Sequence, residues 1–363
     1  MFKLYVICFI TLFYTSQAFS QTIAVIGAGP AGISAVATLL DNNVPAQSII
    51  WIDPEFSVGR LGKYYSTIPS NTKIRGIVTF LNKSHFFATR QQPSFMIHSL
   101  NPQKTSLLKF VIEPLTWCST QLQEVVPWVA TTITSISQNT TDLTLLCSNG
   151  NTLTVDTIIL ATGSEPNLLN IETSAPVLPL DNALSSHYLA RTITSLDTVG
   201  VFGSSHSAIL ILKYLSEIPV KKIINFYKNP LIYATPMGSW TMHNSTGLKE
   251  ETAWWAKNIL EKRPPHNLER YLNTPQNLKT YLPQCTKIIA AIGYKPTPIN
   301  GIDITQYNPD TGLLAPNIYG IGIAFPYRSK DPLGNKEIHV GVLDFLEQAE
   351  RIIPKLIKRP IQL

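Results

Sequence analysis

Residues Thr22–Gly32, TIAVIGAGPAG, constrain this chain more than any other stretch. The apolar run Ile23 to Ile26 reads as a buried parallel strand. It breaks at Gly27 and resumes as a small-residue helix from Pro30 through Ile33-Ser-Ala-Val-Ala-Thr-Leu-Leu. Gly27 permits the tight turn, Gly29 lets backbone approach a pyrophosphate, and Gly32 lets helix and strand pack closely. Ala28, Pro30 and Ala31 complete the loop, whose amides face the phosphates at the positive end of the helix dipole. A second strand, Ser48–Ile52, ends at Asp53, 21 residues beyond Gly32, where a ribose-binding carboxylate is expected. A structural glycine turn in some other α/β protein is the competing reading. The strand before, the helix after and the spaced acid favour a dinucleotide site.

At 363 residues the chain suits two domains, or one interrupted by another. It is 44% hydrophobic and 14% charged, hence globular. The net charge of +6 is modest, and basic residues are scattered except at Lys355–Arg359. No nucleic-acid partner is expected. Residues 1–20 differ: one charge at Lys3, an apolar Leu4–Phe13, then Ala18-Phe19-Ser20. They read as a secretory signal peptide cleaved after Ser20, with an uncleaved anchor as the alternative. The protein is therefore expected to be exported. No later apolar run reaches about 18 residues, so no stable membrane insertion follows cleavage. Beyond the signal, Cys118, Cys147 and Cys285 remain, an odd number without any Cys-x-x-Cys. No cluster has metal-ligand spacing, so no metal is expected, and no Gly-x-Ser-x-Gly turn occurs.

Further along, Val58-Gly-Arg-Leu-Gly-Lys-Tyr-Tyr sets glycines beside Arg60 and Lys63. That suits a loop passing an anionic or flat ligand, and equally a plain surface turn. Thr131–Ser137 and Leu143–Cys147 alternate as strands do, Asn149-Gly150-Asn151 gives a hairpin turn, and Thr152–Val155 returns. A buried strand ends in Ala161-Thr162-Gly163 ahead of Pro166, and residues 165–195 read as a linker. A second nucleotide-type unit follows: the strand Asp197-Thr-Val-Gly-Val-Phe, the loop Gly203-Ser204-Ser205-His206-Ser207-Ala208, a helix, and the strand Lys222–Tyr227. Ser205 and Ala208 stand where the second and third glycines stood in the first unit. The second strand ends at Tyr227-Lys228-Asn229 without an acid, which leans towards NADPH through Lys228, unless Lys228 is a solvated loop residue. His206 could pair with phosphate as His⁺ or cap the helix as a neutral ring. Tyr233, Trp240, His243 and Asn244 either wall a nicotinamide or substrate pocket or pack on the Trp254–Trp255 helix. Thr286 to Pro296, containing Gly293, reads as a strand returning to the first domain, as does Ile318–Gly322.

This order of motifs resembles the two-dinucleotide-binding flavoproteins. It is similar to the pyridine nucleotide-disulfide oxidoreductases and, at Gly59–Lys63, to flavin-containing monooxygenases, over most of residues 22–346. The resemblance implies an α/β fold of two dinucleotide-binding Rossmann-like domains, with the NAD(P) domain inserted in the FAD domain. The expected division is a signal peptide over 1–20, an FAD-binding domain formed by 21–190 together with 285–363, and an NAD(P)-binding domain over 191–284. The resemblance also implies FAD in the first unit, near Gly163 and Gly322 as well as the glycine loop, and NAD(P)H in the second. Two departures stand out. The strand at Ile318–Gly322 usually continues Gly-Asp, the acid holding the flavin ribityl chain, but here Ile323 follows. The redox dithiol is also missing. The expectation is an FAD-dependent, NAD(P)H-using oxidoreductase passing hydride through flavin to oxygen or a small organic acceptor. The alternative is a nucleotide-binding protein of the same fold with little or no redox activity.

Overall fold

The computed structural model describes residues 21–139 and 142–357; the expected signal segment lies outside them. Two parallel sheets form the framework. The first has six strands, ordered Leu313–Ala315, Ile318–Gly320, Thr157–Leu160, Ile23–Ile26, Ile49–Ile52 and Trp128–Val129. Its pairs are parallel except the Leu313–Ala315 edge. The central runs IAVI and TIIL are buried throughout because both faces are covered. Ile23 and Val25 face a helical layer in which Pro30–Asp41 packs between Lys109–Gln123 and Val342–Leu356. Ala24 and Ile26 face the antiparallel meander Ile133–Gln138, Leu143–Cys147 and Thr152–Val155.

The second sheet is wholly parallel, ordered Leu268–Leu272, Lys222–Tyr227, Thr198–Phe202, Lys287–Ala290 and Val177–Leu178. The helix His206–Ser216 covers one face, burying Ile209, Ile211 and Leu212 against Val199 and Val201. Boundaries at 191 and 284 therefore cut through this sheet, since Val177–Leu178 and Lys287–Ala290 are its strands. The Thr286 strand, expected in the first domain, pairs with Thr198–Phe202 instead. An apolar run such as Ile288-Ile289-Ala290 specifies a buried strand but not which sheet takes it. Ser164–Pro166 and Tyr294–Pro296 pair antiparallel, so the two crossings between sheets run side by side. Among the described residues no helix is long and apolar enough to cross a membrane.

Candidate nucleotide sites

The first glycine loop is fixed by its neighbours. The Gly27 amide donates to the Ile52 carbonyl at 2.7 Å, and the Trp51 indole donates to the Gly27 carbonyl at 3.0 Å. Gly27 has φ +112°, and a Cβ there would overlap the Ala161 carbonyl; one on Gly32 would overlap the Gly27 carbonyl. Both glycines are thus required by close approach. Gly29 caps the helix, and the amides of Gly29, Ala31 and Gly32 have no acceptor among the described residues. Asp53 accepts the Ala28 amide at 2.8 Å on Oδ2, and the Glu55 and Phe56 amides at 2.9 and 2.7 Å on Oδ1. A carboxylate has about four acceptor positions, so one remains for a hydroxyl.

Other expected contacts gather around this loop. Gly59, at φ +62°, lies against Gly29, with a Cβ position 3.2 Å from the Gly29 Cα. The Thr162 hydroxyl is buried without a partner, and no protein atom lies within 4 Å of a Cβ position on Gly163. Gly322, at φ +88°, stands against Ala31, while its amide donates to Gln348 Oε1 at 2.8 Å. A cradle of free amides, an orphaned hydroxyl and open space beside glycine fits a pyrophosphate-linked flavin. Ile323, at the position the resemblance gives to a carboxylate, is 45% exposed.

Arg60 and Lys63 are already paired. Arg60 meets Asp181, and Lys63 meets Glu55. Asp181 also accepts the Tyr65 hydroxyl at 2.6 Å, and Tyr65 and Tyr294 hydroxyls lie 3.3 Å apart. Ser207, in the second glycine loop, lies beside Tyr294. Burial raises both phenol pKa values, Tyr65 with help from Tyr294 and Asp181, so both stay protonated. This cluster joins the two units, and the sequence offered no periodicity or motif by which to find Asp181.

The second unit repeats the first. Gly203, at φ +123°, has no room for a Cβ because the Ala291 carbonyl is there, and its amide donates to the Phe226 carbonyl at 2.9 Å. Ser205 caps the helix through its backbone position, and Ser204 Oγ donates to the Asn229 carbonyl at 2.9 Å. The amides of His206, Ser207 and Ala208 open the helix without acceptors among the described residues. His206 Nε2 accepts the Lys249 amide at 3.1 Å. Burial, then the Lys249 charge, pushes its pKa down to about 4, so the ring is neutral near pH 7. It tethers the 229–249 excursion instead of offering positive charge. In that excursion the Asn244 and Ser245 amides dock on Glu337, at 3.0 and 2.7 Å. Lys228 is exposed, and Gly293, at φ +92°, borders Asn167.

Cys118, Cys147 and Cys285 are all free and buried. Burial raises the thiol pKa of Cys118, and that of Cys285 to about 11, so neither is a thiolate near neutrality. Among the described residues no three His, Cys, Asp or Glu side chains are placed to hold a metal ion.

Residues 21–209 match the pyridine nucleotide-disulphide oxidoreductase family. A protein named monooxygenase AgnR1, from Paecilomyces divaricatus, is 30% identical over 386 aligned residues, covering 91% of this chain and 96% of its own. Among solved structures, the bacillithiol disulfide reductase Bdr of Staphylococcus aureus superposes with a TM-score of 0.62 at 13% identity, covering 93% of this chain and 99% of its own. A mutant form of a flavin monooxygenase from Stenotrophomonas maltophilia gives 0.61 at 13%, covering 93% and 98%. The ornithine N-hydroxylase of Kutzneria sp. 744, solved with reduced FAD, NADP⁺ and L-ornithine, gives 0.59 at 14%, covering 93% and 98%. With the family matched across more than half its length and a relative aligned along nearly all of it, the chain belongs to the pyridine nucleotide-disulphide oxidoreductases, a flavin-dependent oxidoreductase family.

Proposed function

We propose that this protein is an FAD- and NADPH-using oxidoreductase of the monooxygenase type, delivering electrons to oxygen or a small organic acceptor without a cysteine relay. The carrying observation is the duplicated loop: Gly27 against Ala161 in one sheet, Gly203 against Ala291 in the other. Each loop opens a helix whose first amides lack acceptors among the described residues. In this reading Gly29, Ala31 and Gly32 hold the FAD pyrophosphate and Asp53 the ribose. Thr162, Gly163 and Gly322 border the flavin end. Gly203 to Ser207 receive the second pyrophosphate, with Gly293 beside the nicotinamide. When bound, FAD supplies two-electron transfer between a reduced nicotinamide and the final acceptor. The chain's own role is orientation, with Tyr65 and Tyr294 as protonated donors between the two units.

The monooxygenase relative supports this choice over disulfide reduction, as do the buried cysteines. Ile323 favours one rival, a nucleotide-binding protein with little redox activity. The test is NADPH oxidation by the flavin-loaded full chain with oxygen uptake followed in parallel. Oxygen uptake matched to NADPH loss supports the proposal; turnover only with a disulfide acceptor, or none at all, overturns it. We also propose that residues 1–20 direct export. N-terminal sequencing of protein from a secreting host then begins at Gln21, and retention of Met1 contradicts that reading.

A further inference from the structure

The two sheets align their units residue by residue. Gly27 donates to the Ile52 carbonyl and Gly203 to the Phe226 carbonyl, so the residue matching Asp53 is Tyr227, not Lys228. Where the first unit has a carboxylate, the second has an aromatic ring with a cation against it: the Arg270 guanidinium lies 4.7 Å from the Tyr227 ring centre. Arg270 belongs to the adjacent strand, in register with Asn225. Its Nε donates to Asn225 Oδ1 at 2.9 Å. Asn225, fully buried, donates in turn to the carbonyls of Val201 and Gly203 at 3.0 and 2.8 Å. The guanidinium is thereby tied to the glycine that opens the loop.

That guanidinium is incompletely satisfied. Its Nη2 is buried without an acceptor, and Arg270 forms no ion pair among the described residues. The Tyr233 hydroxyl beside it is likewise buried without a partner in hydrogen-bond geometry. Lys257 Nζ lies 4.5 Å from the Tyr233 ring centre; among the described residues, exposed Glu261 is the carboxylate acting on both Tyr233 and Arg270. A half-buried, partly unpaired cation is costly unless an anion completes it. A phosphate offers the oxygens that a guanidinium fork binds best.

We infer that Arg270, beside Tyr227, is the residue by which the second unit prefers a dinucleotide carrying a 2′-phosphate. The 2′-phosphate hangs from the ribose whose hydroxyls belong, by analogy with Asp53, at the Tyr227 position. Lys228, the cation the sequence offered, is exposed and secondary. This inference rests on reading the second unit as a pyridine-nucleotide site.

The experiment is calorimetric binding of 2′,5′-ADP and 5′-AMP to the flavin-loaded full chain, which needs no turnover. The expected wild-type preference for 2′,5′-ADP is about tenfold or more, the equivalent of one good charge-assisted contact. Arg270→Gln brings the two affinities together by weakening 2′,5′-ADP alone, while Lys228→Gln keeps the preference. Equal weakening of both ligands by Arg270→Gln, or no wild-type preference, overturns the inference. Should Arg270→Gln not fold, Arg270→Lys decides, because it keeps the charge and loses the fork. A reduced preference then supports the inference and an unchanged one overturns it. If neither ligand binds wild type, the nucleotide reading of the second unit fails together with the inference.

Discussion

The two glycine loops share a backbone and differ in their side chains. In both, a glycine with positive φ turns under the carbonyl of the neighbouring strand, Ala161 or Ala291, and donates to the strand on its other side. The first unit then presents glycine at the second and third loop positions and a carboxylate at the strand end. The second presents Ser205, Ala208 and Tyr227, with Arg270 behind the ring. The difference teaches that the shared geometry of such a loop defines where a dinucleotide lies, whereas the strand-end residue selects which one. A strand-end carboxylate suits a ribose bearing free hydroxyls, and a half-buried guanidinium suits a phosphorylated one.

The largest effects come from breaking one loop at a time. Gly27→Ala and Gly203→Ala each force a Cβ into a carbonyl at positive φ, costing about 3 kcal/mol or more. Gly27→Ala is expected to lose flavin absorbance. Gly203→Ala is expected to stay yellow yet no longer bleach with NADPH; simultaneous loss of both properties in either variant would break the comparison. Next is Asp53→Ala, which strips the Ala28, Glu55 and Phe56 amides of their acceptor. About 2–3 kcal/mol of loop stability goes with it, read as at least tenfold weaker FAD retention on dialysis.

Asp197 sharpens the comparison from beneath the second loop. It accepts from Thr194, Thr286 and Lys287, the last at 2.6 Å. Burial opposes its ionisation, but these partners outweigh it and hold its pKa far below the usual range. The native state thus binds this proton less readily than the unfolded chain. Its stabilisation is full above about pH 4 and declines as pH falls below that value. Asp197→Asn is expected to cost about 2 kcal/mol at neutral pH in chemical denaturation, with the gap to wild type narrowing in acid. The smallest effect concerns His206. Because its folded pKa lies near 4, its contribution is full above about pH 6.5 and is lost as pH falls towards 4. His206→Phe is expected to cost about 1 kcal/mol and to remove that part of the pH slope, as thermal melts across this range can measure.

Local chemistry made the loops legible in the sequence. Positive-φ glycines, an apolar strand before each and a helix after each leave marks at fixed spacing, as Gly27–Gly32 and Gly203–Ala208 do. What spans the two sheets left no such mark. The Lys287–Ala290 strand joined the second sheet because an all-apolar run carries no address. Asp181 reaches Arg60 and Tyr65 from more than a hundred residues away, and Arg270 reaches Asn225 across a strand pair. The residue that matches Asp53 is Tyr227, one before Lys228, because register is set by the Gly203 to Phe226 hydrogen bond and not by the visible end of the apolar run.

The central claim is that the first loop holds flavin and the second delivers reducing equivalents to it. The measurement that tests it most directly is the visible spectrum of the purified full chain, before and after anaerobic addition of NADPH. A flavin band that bleaches on NADPH, and persists in Gly203→Ala, is the predicted result. A protein that neither carries nor can be reconstituted with flavin would contradict the account, with Ile323 as its first explanation.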